Sequence, residues 1–186
     1  MKVTPLSIAD VLLISPRIFS DDRGHFLETF STRSFPAQTP PVEFVQDNLS
    51  FSSKGTVRGL HLQEPHGQGK LVMAVTGAIW DVAVDVRVGS PTFGQWVAAE
   101  LSEKNRDQLY IPPGFAHGFC VLSETAHMHY KCTDLYNPAV EMSIRFDDPQ
   151  LGINWPVAKP LLSPKDAQAP QLADIPPEKL PKYLAS

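Results

Sequence analysis

The chain has 186 residues, 42% of them apolar, and a formal net charge of -4. That length supports one domain, 1–186, with a sizeable core. The mildly acidic balance argues against bulk nucleic-acid binding but leaves room for a local basic cluster around a phosphate. No run of eighteen apolar residues and no apolar N-terminal leader is present, which predicts a soluble cytoplasmic protein with no membrane partner.

Eighteen prolines and eleven glycines cut the chain into short pieces, the pattern of an all-β sandwich or barrel. Val11 to Ser15 reads as a strand stopped by Pro16, and Asp21-Asp-Arg-Gly24 as a turn. His25 to Phe30 alternates, with Phe26, Glu28 and Phe30 on one face, so Glu28 reads as an edge-of-sheet carboxylate. Residues 31–41 accommodate one helical turn before a proline-rich loop. Phe44 to Phe51 is extended, but Gln46, Asp47 and Asn48 are unusual inside a strand; they form a turn or line a wet pocket. Thr56 to Gln63 is a strand with Val57, Gly59, His61 and Gln63 on one face and Arg58, Leu60 and Leu62 on the other.

Leu71 to Val75 is a buried run, turned by Thr76-Gly77. In Ala78 to Arg87, Trp80, Val82, Val84 and Val86 form an apolar face, and Asp81, Ala83, Asp85 and Arg87 a polar one that looks either to solvent or into a cup. Residues 96–110 carry no Gly or Pro and suit a helix, but the short β-like neighbours favour strand, turn at Ser102 to Asn105, and strand. Ile111 to Phe119 is a turn opening into a strand. Ala126 to Cys132 and Val140 to Phe146 alternate. Beyond Asp147 the chain reads as loops with helical turns near Lys165 and Pro177. About ten short strands in one domain, with little helix, predict a cupin-type jelly roll, a double-stranded β-helix. Cys120 and Cys132 read as reduced core thiols.

The chemistry centres on Arg58-Gly-Leu-His61-Leu-Gln63 and the loop that delivers Lys70 to the next strand, which holds an imidazole and an ammonium near each other on neighbouring strands. Many cupins bind metal through His-x-His plus Glu, and a further His after Pro-x-Gly-x-x-His. This chain has the second half, Pro112-Pro-Gly114-Phe-Ala-His117, but Gln63 stands where the second His belongs. Glutamine is a poor ligand for a first-row transition metal. His127 and His129 share a face opposite Tyr130 and read as surface or core histidines. The pattern points to chemistry without metal: a neutral His as base, a Lys ammonium opposite an oxyanion, and a Tyr returning a proton if its pKa is lowered. Those roles sum to epimerisation beside a ketone.

The ordered set of motifs resembles the dTDP-4-dehydrorhamnose 3,5-epimerase family. It comprises Asp22-Arg-Gly-His-Phe-Leu-Glu28, Gln46-Asp-Asn48, Arg58-Gly-Leu-His61-x-Gln63, Gln68-Gly-Lys70, Asp81-Val-Ala-Val-Asp85, Ile111 to Phe119, Tyr130-Lys131, Tyr136-x-Pro138, Glu141, Asn154-Trp-Pro156 and Ser163-Pro-Lys-Asp166. The resemblance implies a jelly-roll homodimer with exchanged N-terminal strands and no metal or organic cofactor. It implies inversion of C3 and C5 of a dTDP-4-keto-6-deoxy sugar, with His61 as base, Asp166 orienting it, Lys70 stabilising the enolate and Tyr130 reprotonating. It further implies that Tyr136 stacks on thymine and that Arg23, Glu28, Gln46, Asp47, Asn48, Arg58, His117, Glu141 and Lys165 bind nucleotide, diphosphate or sugar. Asp81 competes with Asp166 as partner of His61. Pro164 departs from the family's usual acidic or serine residue. The alternatives are a mono-epimerase on the same fold, a metal cupin and a non-catalytic sugar-binding jelly roll.

Overall fold

A computed structural model describes residues 1–36, 39 and 42–184. Its strands are β1 (Lys2–Pro5), β2 (Leu12–Ser15), β3 (Ile18–Asp21), β4 (Gly24–Leu27), β5 (Gln46–Ser53), β6 (Val57–Gln63), β7 (Lys70–Thr76), β8 (Ala78–Asp85), β9 (Trp96–Ser102), β10 (Gln108–Ile111), β11 (Phe115–Val121), β12 (Thr125–Cys132) and β13 (Glu141–Ser143). One sheet has the order β1-β2-β10-β7-β12-β5 and faces a second, β13-β6-β11-β8-β9; β3 and β4 form a separate ribbon. From β5 to β12, every connection except the β8–β9 hairpin crosses from one sheet to the other. That alternation is the jelly-roll winding.

The crossing at residues 64–69 puts His61 and Lys70 on facing sheets, not on neighbouring strands of one sheet as expected. Val72, Ala74, Ile79, Ala83, Leu109, Ile111, Phe119 and Met128 fill the space between the sheets. The polar face of β8 looks into that space: Asp81 and Asp85 are fully buried. Its apolar partners Val82 and Val84 face outward and are not exposed either, because Ile144, Leu151, Leu172, Ile175 and Leu180 cover them. The segment after Asp147 is therefore a wrap that seals the outside of the five-stranded sheet. β8 is thereby covered on both faces, which is why it carries so few surface residues.

Residues 96–110 form strand, turn and strand, with Asn105 Oδ1 accepting from the Ser102 N–H at 2.9 Å. β1 and β3 were not anticipated. β4 ends at Leu27 instead of running to Phe30, so Phe26, Glu28 and Phe30 do not share a strand face. Phe30 leaves to pack edge-on against Phe35 and Phe44 over the outer face of the six-stranded sheet, and that aromatic burial outweighs strand continuation. Ser31 to Phe35 make a single turn closed by Phe35 N–H to Ser31 O at 3.0 Å. The proline-rich loop expected after it includes Ala37, Gln38, Pro40 and Pro41, which lie outside the described residues. The helical turns near Lys165 and Pro177 are α1 (Pro164–Ala167) and a 3-10 turn at Pro177–Lys179.

Candidate active site

The cup opens between the two sheets, and a β-bulge sets its chemistry. Simple alternation puts Arg58 and His61 on opposite faces of β6. In the structure His61 is opposite His117, yet Arg58 is opposite Phe119, so β6 carries one residue more than β11 over this span. The extra residue returns Arg58 to the face of His61. Gly59 makes this possible. Its φ is +117°, and a Cβ there would lie 2.6 Å from Gly118 Cα and from His117 O. Only a residue without a side chain lets β6 approach β11 so closely.

His61 is paired with Asp166, which settles the competition between the two aspartates: Nε2 lies 2.6 Å from Asp166 Oδ1. A carboxylate only accepts, so the ring proton sits on Nε2 and the Nδ1 lone pair is free to take a proton. The Asp166 side chain is 4% exposed and that of His61 is 28% exposed. Burial pushes the Asp166 carboxyl up, but bonds from His61, Ser163 and the Gly59 N–H outweigh it and hold the group below the usual carboxylate range. The sequence Ser163-Pro-Lys-Asp166 builds its platform. Ser163 Oγ accepts from the Asp166 N–H at 3.1 Å, and Pro164 occupies the first helical turn, where its missing N–H costs nothing. The family departure at Pro164 is thus compatible with the same platform. Ser163-Pro-Lys-Asp166 is a helix-start signal legible in the sequence.

Asp81 serves a second imidazole. His117 Nε2 lies 2.9 and 3.0 Å from its two oxygens, and burial pushes the His117 pKa down. Lys70, on the facing sheet, makes no hydrogen bond or ion pair among the described residues. Burial lowers its pKa, with Asp81 and Glu141 among the groups that oppose the shift. A half-buried ammonium without a partner among the described residues, aimed into a polar cup, is suited to a developing oxyanion.

Tyr130, on β12, packs against the core between the sheets and has no hydrogen-bond partner among the described residues. Burial raises its pKa, the reverse of the lowering the sequence reading called for. Tyr130 is accordingly a neutral phenol at pH 7, ready to donate. Arg58 Nε donates to Ser52 Oγ at 3.0 Å, an anchor the sequence reading missed. Gln46 and Asn48 share the inner face of β5, where Gln46 Nε2 donates to Asn48 Oδ1 at 3.0 Å and Gln46 Oε1 accepts from the Tyr136 N–H at 2.8 Å. Asp47 points the other way and pairs with Lys131 at 2.7 Å on the outer face. Strand parity therefore splits the triplet, and Asp47 does not enter its own cup.

Lys165, in the first turn after Ser163, donates to Glu141, which also accepts from the Tyr136 hydroxyl at 3.0 Å. These bonds outweigh burial and keep the Glu141 carboxyl below its ordinary range. The Tyr136 ring is exposed. A cleft of about 330 Å³ runs past Arg58, His61, Ser163, Lys165 and Asp166. Lys70, Tyr130 and His117 do not line it, and neither do Arg23 and Glu28. The latter two sit at the β3–β4 ribbon and just after it, both exposed, bonded to Asp21 and to Ser34 respectively.

Gln63, at the metal-cupin position, has its amide committed to backbone. It donates to His66 O and Leu135 O and accepts from the Asn137 N–H at 2.8 Å. It pins two loops at the rim of the cup. His127 and His129 face outward, toward Thr76 and Asp47.

The model of a protein family described as dTDP-4-dehydrorhamnose 3,5-epimerase matches residues 5–174. The chain belongs to that family. It is 54% identical over 176 residues to the dTDP-4-dehydrorhamnose 3,5-epimerase of Pseudomonas aeruginosa, covering 94% of this chain and 97% of the relative. Its fold matches the crystal structure of a dTDP-6-deoxy-D-glucose-3,5-epimerase from Legionella pneumophila in complex with dTDP-4-keto-L-rhamnose, with a TM-score of 0.96, 49% identity and 99% coverage of both chains. A dTDP-4-dehydrorhamnose 3-epimerase from Streptomyces niveus is 43% identical, over 94% of this chain and 85% of the relative. Relatives named 3,5-epimerase and a relative named 3-epimerase are thus both similar to it in sequence.

Proposed function

We propose that the chain epimerises dTDP-4-dehydro-6-deoxy-D-glucose at C3 and C5, giving dTDP-4-dehydro-L-rhamnose, and that it does so by acid–base proton transfer beside the C4 ketone. The observation that carries this reading is the placement of base and acid on different sheets. His61 enters the cup from β6 and Tyr130 from β12. A sugar held between them meets a proton acceptor on one face and a donor on the other, which is what inversion requires.

The steps follow from the protonation states. His61 Nδ1 removes the proton from the carbon next to the ketone, and Asp166 stabilises the imidazolium that forms. The electron pair moves onto the C4 oxygen as an enolate, opposite the Lys70 ammonium. Tyr130 then gives its phenolic proton to the same carbon from the other face. The imidazolium then releases its proton to solvent and the Tyr130 phenolate takes one up, after which the second carbon beside the ketone undergoes the same exchange. Arg58 anchors the diphosphate, joined by Gln46, Asn48, His117, Glu141 and Lys165, while Tyr136 offers a ring for the thymine. The proposed steps run on these side chains alone; the amide of Gln63, at the position where metal cupins carry their second His, is bonded to backbone.

A homodimer completes the reading. Arg23 and Glu28 lie on or beside a ribbon that is paired to neither sheet, where they are available to a second copy. The outer face of β5 and β12 carries Leu49, 65% exposed, and Phe51, 55% exposed. Apolar surface of that kind on a sheet is suited to a like surface. Asp47, on this face, would then serve the partner's side. No helix among the described residues is long and apolar enough to cross a membrane, and a cytoplasmic enzyme supplying activated rhamnose for lipopolysaccharide fits the activity.

The second reading is inversion of one centre only, favoured by the kinship to the Streptomyces niveus 3-epimerase. Incubation with the keto sugar in deuterated water decides. Deuterium at both C3 and C5 is the expected result; uptake at a single carbon establishes the mono-epimerase instead.

A further inference from the structure

Two hydroxyls are left without partners. Ser50 Oγ and Ser143 Oγ are buried and make no hydrogen bond, and they are the only such side-chain N or O atoms among the described residues. A hydroxyl taken out of water and given nothing in return destabilises the protein that carries it, so an unpaired one in a native fold calls for an explanation. Both stand on the inner faces of strands that line the cup.

Ser50 lies on β5 between Asn48 and Ser52. Ser52 holds Arg58, and Asn48 is opposite Tyr130 across the β5–β12 pairing. Ser50 is thus midway between the guanidinium assigned to the diphosphate and the phenol assigned to the sugar. Ser143 lies on β13 directly opposite His61. Residues paired across two strands present their side chains to the same face, so Ser143 flanks the imidazole. Its neighbour Met142 points the other way, into the wrap that covers the five-stranded sheet.

We propose that Ser50 and Ser143 are substrate contacts: Ser50 hydrogen-bonds the diphosphate end of the nucleotide sugar, and Ser143 a polar group of the sugar ring beside His61. A hydroxyl both donates and accepts, so either can meet a phosphate oxygen or a sugar hydroxyl without a change of charge. The cup is left with unmet hydrogen bonds that the ligand supplies. This inference rests on the function proposed above.

The test measures dTDP affinity by calorimetry, KM for the keto sugar and thermal midpoint in wild type, Ser50→Ala and Ser143→Ala. Deleting an unpaired buried hydroxyl removes a burden from the free protein, so both variants should melt at or above the wild-type temperature. Ser50→Ala should weaken dTDP binding by about 10- to 150-fold, the range for one lost hydrogen bond to a charged partner. Ser143→Ala should leave dTDP affinity unchanged and raise KM by a similar factor. Unchanged affinity in the first and unchanged KM in the second overturn the proposal, as does a lowered melting temperature accompanying the binding loss, which would mark the hydroxyls as parts of the scaffold. A wild type that binds dTDP but turns over no keto sugar sinks the proposed function instead, and the dTDP arm on Ser50 still decides this inference.

Discussion

Replacing Asp166 by Asn isolates what the carboxylate does for His61. The bond is 2.6 Å long, and the Asp166 side chain is 4% exposed, so little water competes for it. A hydrogen bond to a charged group in such a place contributes about 1.5–3 kcal/mol, which corresponds to a loss of roughly 10- to 150-fold in rate if it is felt only once the imidazolium forms. The amide adds a second penalty. If its NH₂ turns toward His61, Nε2 must accept, the ring proton moves to Nδ1, and the base has no lone pair to offer the sugar. The expected loss is therefore at the upper end of that range. Proton exchange followed by NMR in deuterated water reads it directly, with the thermal midpoint as a check on folding. The pH dependence supplies a second readout. The Asp166 carboxyl is held below its ordinary 3.8 in the folded protein, so its contribution to stability is present above that value and is lost as pH falls through the lower folded value. The variant should lose that component of acid sensitivity. A folded Asp166→Asn protein that exchanges at the wild-type rate refutes the assignment of Asp166 as the orienting group.

Lys70→Met should lower kcat by about 10²–10³-fold, the usual effect of removing one oxyanion donor, with the protein still folded by circular dichroism. Because burial lowers the Lys70 pKa, the alkaline limb of the wild-type kcat profile should fall below the ordinary lysine value of 10.5 as the ammonium is lost. Gly59→Ala places a Cβ 2.6 Å from backbone atoms of β11 at a positive φ, and should cost at least about 2 kcal/mol, seen as a lower denaturation midpoint. Asp85→Ala strands Arg87, whose guanidinium it holds at 2.7 Å, and should destabilise by about 3–5 kcal/mol in urea titrations; a change near zero would show that Asp10 alone compensates the charge. Phe51→Glu with Leu49→Glu should give a monomer by light scattering if the outer face of β5 is the dimer surface.

The strands of the barrel were legible because β5 to β12 keep a period of two between Gly and Pro breaks, and burial on the cup side enforces that register. What alternation could not deliver was any departure from itself. The bulge at Gly59 adds one residue to β6, and nothing in Arg58-Gly-Leu-His61 announces that addition except the glycine. The charged face of β8 was ambiguous for a different reason: whether Asp81 sees water or the cup depends on the wrap that runs from Ile144 to Leu180, far along the chain. The site residues named on the inner face, including His61, Lys70, Tyr130, Gln46, Asn48 and His117, point into the space between the sheets. Asp47 does not, and counting by two from Gln46 would have said so. Arg23 and Glu28 sit apart because a ribbon that pairs with neither sheet has its place fixed by contacts outside the period of any strand.

The wrap has a consequence for how activity is gained and lost. His61 stands on the barrel, but the carboxylate paired with it stands on α1, in a segment held to the sheet by the packing of Leu151, Leu172, Ile175 and Leu180 and by backbone bonds of Leu161 with Gly55 and Val57. Loosening that outer layer would leave a barrel with its strands intact and an imidazole free to rotate. Catalysis is therefore a gauge of closure rather than of folding. In a denaturant series, turnover should fade before the β-sheet signal does, and coincident midpoints would show that barrel and wrap come apart together.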